Sequence, residues 1–162
     1  MGAGSDDLFA LLAGLGIRAV THAHAPAFTV EQGHAVWGAI PGVHCKNLFL
    51  KDAKARLWLV VAPAERRIDL KALPGRIGAA RLSFGSAQLL GEVLGIEPGS
   101  VTPFALVNDH EHRVTVVLDA EMMEQPLVNY HPLRNDMTTT LTPAELRRFL
   151  GHTGHQPHVV AL

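Results

Sequence analysis

The stretch "HCKNLFLKDAKARLWLVVA", residues 44–62, decides how the chain folds. Two apolar runs, 48–50 and 57–62, are rich in leucine, valine and aromatic residues, and the polar segment "KDAKA" lies between them. Each run is too short for a stable helix, so the pair reads as a β-hairpin with a longer loop. The first run is entered through His44, Cys45, Lys46 and Asn47. A lysine at the entrance of a strand is usually a surface residue that snorkels. The alternative is a side chain held in a site by rigid backbone.

Working outward, "SDDLFALLAGLGI" places Leu8, Leu11, Leu12 and Leu15 on one helical face, with Ser5 as cap and Gly14 or Gly16 as the end. "RAVTHAH" reads as a short strand broken by Pro26, and Thr29 with Gln32 has the spacing of a capping box for a short helix to about Val36. Beyond the hairpin, "DLKALPGRIG" is helical but interrupted by Pro74, "RLSF" is a short strand, and "SAQLLGEVLG" is a helix capped by Ser86. "IEPGSVTPFALV" turns at Pro98-Gly99 and enters a strand near Phe104. "HRVTVVLD" is a strand, a brief helical turn falls near Glu121, and "PLVNYHP" and "MTTTL" are two strands more. Thr142-Pro143-Ala144-Glu145 is a capping box with proline at the first helical position, opening a helix that ends at Gly151. The tail "HTGHQPHVVAL" carries no clear pattern. Neither a repeat nor a linker divides the chain, so the expectation is one mixed α+β domain over residues 1–162.

At 162 residues the chain is long enough to bury a core without metal or disulfide staples. Hydrophobic residues make up 48% and charged residues 18%, which excludes a disordered or coiled-coil chain. Its apolar runs fall short of the ~20 residues a membrane helix needs, so no membrane partner is expected. The single cysteine rules out an internal disulfide and fits a cytoplasmic protein. The net charge of −1 is unevenly spread. Between Lys46 and Arg81 nine basic residues face three acidic ones, leaving +6, while five against twelve elsewhere leave −7. That asymmetry suits either a local positive field or ordinary solvated faces.

Ten histidines raise the question of a metal. His22/His24, His110/His112 and the spaced His152, His155 and His158 lack both metalloprotease spacing and a cysteine pair, so no metal or other cofactor is expected. His44 and Cys45 are strand neighbours and point to opposite faces, so the histidine is badly placed to activate the thiol. A nucleophile elbow and a phosphate-binding glycine loop are both missing, which weakens serine-hydrolase and NTPase readings.

Four segments in order, "KNLFLKD", "RLSF", "EPGSVTPFALVND" and "NYHPLRNDMTT", resemble the YbaK/prolyl-tRNA-synthetase-associated family, in particular its free-standing prolyl-tRNA editing members. The likeness runs from about Thr21 to Leu150. It implies a curved mixed β-sheet approaching a barrel and flanked by helices. The implied activity is trans-editing: hydrolysis of the ester of mischarged alanyl-tRNA(Pro), with prolyl-tRNA(Pro) spared and no metal used. Carried over by motif, the family's lysine and asparagine fall on Lys46 and Asn47, its Gly-x-x-x-Pro loop on Gly99 to Pro103, and its histidine on His131.

On that footing Lys46 holds a phosphate or ribose oxygen, with Asn47 in the same pocket, and backbone N–H groups of the 99–103 turn receive the developing oxyanion. Phe28, Val30 and Ile40 are the expected pocket walls, because excluding a larger ring requires steric closure when apolar contacts discriminate a methylene by only ~1–3 kcal/mol. Lys51 and Arg81, then Lys54, Arg66 and Arg67, are the expected contacts to the acceptor end of tRNA(Pro). A prolyl-tRNA synthetase or elongation factor is a further candidate partner, and DNA is not. Two other readings remain open: the same chemistry on cysteinyl or seryl esters, and a non-catalytic tRNA-binding or synthetase-associated module.

Overall fold

The computed structural model describes residues 2–26 and 38–162. The short helix expected after Thr29, and the expected pocket walls Phe28 and Val30, lie outside the described residues. Among the described residues, eight strands form one open mixed sheet in the order β1-β7-β6-β2-β3-β5-β8, with β4 paired to β2 off that path. The strands are β1 (Val20–Ala23), β2 (Val43–Asp52), β3 (Leu57–Pro63), β4 (Leu82–Phe84), β5 (Val114–Asp119), β6 (Val128–Tyr130), β7 (Met137–Leu141) and β8 (His158–Val160). Helices α1 (Ser5–Gly14), α2 (Leu73–Ile77), α3 (Ala87–Leu94) and α4 (Pro143–Thr153) flank it. The expected architecture is therefore present, with the sheet open.

The hairpin at the centre has the register Leu50↔Trp58 and Lys46↔Ala62. Strand alternation splits its side chains between two cores. Phe49, Leu59 and Val61 pack with α1, α3 and α4 residues such as Leu8, Leu94 and Phe149. Leu50, Trp58 and Val60 pack with Leu73, Leu82 and Val117 on the other face.

The polar loop of the hairpin is held by Asp52, only 4% exposed. Its carboxylate accepts from the N–H groups of Lys54 and Arg56, from Arg56 Nε and Trp58 Nε1, and from the N–H of Ala80. Arg56 also lies 5.4 Å from the centre of the Trp58 ring. At the other end of β2, Gly42 has φ +98, and a Cβ there would stand 2.8 Å from Leu127 Cβ. Only glycine lets the chain enter β2 so close to the segment before β6.

Several local expectations change. Ser5 is the first helical residue rather than the cap, and its hydroxyl donates to the Pro132 carbonyl at 2.6 Å. Pro74 opens α2 instead of interrupting a longer helix, as a first-turn proline can. The strand expected near Phe104 is a 3-10 helix, Pro103–Asn108, because Thr102 caps it, Pro103 starts it, and Phe104 N–H donates to Thr102 Oγ1. α4 runs past Gly151 to Thr153 and closes at Gly154. The patternless tail forms β8, parallel to β5.

Candidate active site

A small cleft opens where β2 leaves β6 and β7, lined by His44, Cys45, Asn47, Asn129, Tyr130, His131 and Thr138. Its polar atoms are set by the strands around them. Asn129 donates to the carbonyls of Pro41 at 2.9 Å and Val43 at 3.3 Å, and it accepts from Thr140. These bonds tie β6 to the entrance of β2 and fix one wall. Tyr130 donates to Met122 Sδ at 3.3 Å, and the Phe104 ring stands edge-on to it with centroids 6.1 Å apart. The 3-10 helix thus supports the cleft from behind.

His131 Nδ1 lies 2.9 Å from the Met137 carbonyl. A carbonyl can only accept, so the ring proton sits on Nδ1 and a neutral imidazole keeps a lone pair on Nε2. Burial lowers the pKa of His131, opposed in part by the Met137 bond. The neutral form therefore dominates at physiological pH. Nearby, His24 has Nδ1 at 2.7 Å from the Ala25 carbonyl and Nε2 at 2.7 Å from Thr138 Oγ1. By the same argument the Thr138 hydroxyl donates to His24 Nε2, with the His24 and His131 rings 6.4 Å apart.

Asn47 stands out differently. Its Oδ1 is buried and has no hydrogen-bond partner. Buried amides normally find partners, so an unmet one in a cleft is an acceptor waiting for a ligand or water. Cys45 is no nucleophile here: burial pushes its thiol up to about 12, leaving almost no thiolate near neutrality.

Lys46 does not line this cleft. It lies between Cys45 and Asn47 on β2, and its ammonium donates to the Arg66 carbonyl. His44, which alternates with Cys45 on β2, lines the cleft together with it, while Lys46 is held beside the cleft by the Arg66 carbonyl. Burial, with the Arg66 charge adding to it and Glu65 opposing, lowers the Lys46 pKa.

Gly99 and Pro103 are likewise absent from the cleft wall. Gly99 takes φ +94 in the turn, and Pro103 is buried at the start of the 3-10 helix. Ile40 is buried just before β2, and its carbonyl lies 3.3 Å from His44 Nε2.

Among the expected tRNA contacts, Lys51, Lys54 and Arg81 come together near the hairpin tip. Lys51 is opposite Ser83 in register, and the Ala53 N–H donates to the Arg81 carbonyl at 2.9 Å. All three are exposed. Asn47 and Lys51 are separated by about 13 Å at ~3.3 Å per strand residue. Arg67 lies elsewhere, beside Asp69, Arg76 and Leu162. Arg66 is a case apart, since its guanidinium binds Asp119 and Glu121.

Sequence reasoning missed Asn129, Tyr130 and Thr138 as cleft residues, and His24 as the partner of Thr138. The signal was partly there: Asn129 and Tyr130 adjoin His131 in "NYHP", and alternation puts Thr138 and Thr140 of "MTTTL" on one face. Among the described residues, no three His, Cys, Asp or Glu side chains gather as a metal site.

An open mixed sheet carrying a polar cleft with a fixed imidazole and an unmet amide suits the recognition of a small polar group. Residues 24–149 match the aminoacyl-tRNA editing domain family, and the chain belongs to that family. It is 41% identical over 140 residues to prolyl-tRNA synthetase associated domain-containing protein 1 of Danio rerio, covering 85% of this chain and 76% of that one. It is 36% identical over 133 residues to the prolyl-tRNA editing protein ProX of Acetoanaerobium sticklandii, covering 82% and 81%. Among solved structures, hypothetical protein APE2540 superposes with a TM-score of 0.73 at 21% identity, over 94% of this chain and 97% of that one. A candidate trans-editing enzyme for prolyl-tRNA synthetase superposes at 0.69 and 21% identity, over 100% and 99%. Those two likenesses establish the fold.

Proposed function

We propose that the chain is a trans-editing deacylase that cleaves the ester of alanyl-tRNA(Pro) and spares prolyl-tRNA(Pro). The carrying observation is that one narrow cleft is lined both by a neutral His131, whose Nδ1 is committed to the Met137 carbonyl, and by Asn47, whose buried Oδ1 lacks a partner. The acyl ester meets these groups at the mouth of the cleft. Water adds to the acyl carbon, the C–O bond to the ribose breaks, and the water proton ends on the ribose oxygen. His131 Nε2 accepts from the attacking water or from the terminal ribose, and the tRNA's own 2′-hydroxyl assists proton transfer. An activated ester needs less help than an amide, so a nucleophilic triad is not required.

Lys46 holds a phosphate or ribose oxygen of the terminal nucleotide. Discrimination against proline is steric, with Phe28, Val30 and Ile40 closing the acyl pocket. Lys51, Lys54 and Arg81 carry the acceptor-stem phosphates, with Lys51 about 13 Å along β2 from Asn47.

Single-turnover deacylation of alanyl-, cysteinyl-, seryl- and prolyl-tRNA(Pro), measured side by side, tests this. Rapid loss of alanine alone is expected. Preferential loss of cysteine or serine would replace the substrate within the same chemistry. Binding of tRNA with no acyl group cleaved would make the chain a binding module.

A further inference from the structure

We propose that Arg66 is a positioning residue for Lys46 and not a phosphate contact: it anchors the 63–66 turn whose carbonyl holds the Lys46 ammonium. This rests on the editing reading given above, in which Lys46 meets the substrate.

The turn is stitched to β2 twice. The Ala64 N–H donates to the His44 carbonyl at 2.8 Å, and Lys46 Nζ donates to the Arg66 carbonyl. An additional bond, Arg66 N–H to the Pro63 carbonyl at 2.9 Å, closes the turn itself. A backbone carbonyl can hold an ammonium in place only if its own segment is held. The Arg66 side chain supplies that anchor. Nη1 donates to Asp119 Oδ1 at 3.0 Å and to the Leu162 carbonyl at 2.7 Å, and Nη2 donates to Glu121 Oε2 at 2.7 Å.

The far end of the bracket is as firmly built. The side chain of Asp119 is fully buried, and it accepts from Met122 N–H at 3.0 Å and Leu162 N–H at 3.1 Å. Asp119 closes β5, against which β8 pairs in parallel. The order is therefore β8 and β5, then Arg66, then the turn, then Lys46. A guanidinium shared among two carboxylates and a carbonyl has few donors left for a phosphate. Its charge instead lies beside the Lys46 ammonium, where it adds to the effect of burial in lowering the lysine's pKa.

A positioning role and a phosphate-contact role separate cleanly in experiment. Arg66→Met should lower the single-turnover rate on alanyl-tRNA(Pro) by about tenfold or more, as loss of placement does. Its tRNA affinity and the salt dependence of binding should stay at the wild-type values. The ε-methylene NMR signal of Lys46, followed through a pH titration, should shift in the variant. Glu121→Gln removes only the exposed partner and leaves the buried ones, so it should fold and move the Lys46 signal by less.

The proposal is overturned if Arg66→Met weakens tRNA binding and reduces the salt slope by about one while the saturating rate is unchanged, the pattern of a lost phosphate contact. It is also overturned if the Lys46 signal is unmoved in a folded variant. Should Arg66→Met fail to fold, an unshifted Lys46 signal in Glu121→Gln is the overturning result. If wild-type protein deacylates none of the tRNAs, the editing reading fails while the Lys46 titration still decides whether the bracket exists.

Discussion

The imidazole of His131 keeps its proton on Nδ1 because the Met137 carbonyl lies 2.9 Å away, and that single bond decides which nitrogen the cleft meets. Burial holds its pKa below the ordinary value, so Nε2 stays an acceptor as pH falls until below the usual histidine range. The single-turnover rate of deacylation should accordingly be flat through neutrality and drop only at pH below about 6.5, the ordinary imidazole value. A drop already complete above that value would contradict the assignment. Lys46→Ala should abolish deacylation with the fold intact, and His131→Ala should slow it less; a wild-type rate in Lys46→Ala would remove the lysine from the mechanism. At this scale the sequence was informative about residue type and silent about direction. Lys46, Asn47 and His131 could be picked out, but that the Lys46 ammonium is held by the Arg66 carbonyl emerged only from the assembled fold. Asn129 and Thr138 were hidden because asparagine and threonine on a strand look like ordinary surface residues until the sheet is assembled.

The β2–β3 hairpin depends on Asp52 in a way its sequence hints at but does not reveal. Burial raises the carboxyl's pKa, yet hydrogen bonds from Arg56, Ala80, Trp58 and Lys54 outweigh this and carry it down to about 2. A carboxylate with a depressed folded-state pKa stabilises the fold above its unfolded pKa of about 3.9, and that contribution is lost as pH falls through the folded value. Asp52→Asn should destabilise the protein by about 1–3 kcal/mol at pH 7 and flatten the loss of stability between about pH 4 and 2. Thermal unfolding across that range checks it; an unchanged profile would show that Asp52 does not hold the loop. Elements with a strong local code were legible: the capping box of α4 forms as spaced, with Thr142 N–H to Glu145 Oε1 at 3.0 Å and Glu145 N–H to Thr142 Oγ1 at 3.2 Å. β8 was not, because its three residues gain their place from parallel pairing with β5, a partner nearly forty residues earlier in the chain. The 3-10 helix at Pro103 was read as a strand because "FALV" is apolar throughout, and a fully buried segment shows neither period.

For the whole molecule, the uneven charge of the sequence resolves into two kinds of basic residue. Arg56 and Arg66 are tied to carboxylates within the fold, whereas Lys51, Lys54 and Arg81 stand exposed around the hairpin tip. Segment charge cannot separate these roles, since both contribute equally to the count of nine. Reversing Lys51 or Arg81 to Glu should weaken tRNA binding and lower the salt slope by about one per lost phosphate contact, with the fold unchanged. Equal affinity and slope in both reversals would clear that surface of tRNA contact. The central claim is that the ester is cleaved at the mouth of the cleft between β2, β6 and β7. The most direct test is the single-turnover deacylation rate of alanyl-tRNA(Pro) for wild type, Asn47→Ala, His131→Ala and the double variant. Rates lowered in each single variant, with the double well short of the product of the two losses, are predicted for groups that act on one substrate atom set. Wild-type rates in both single variants would place the reaction elsewhere on the molecule.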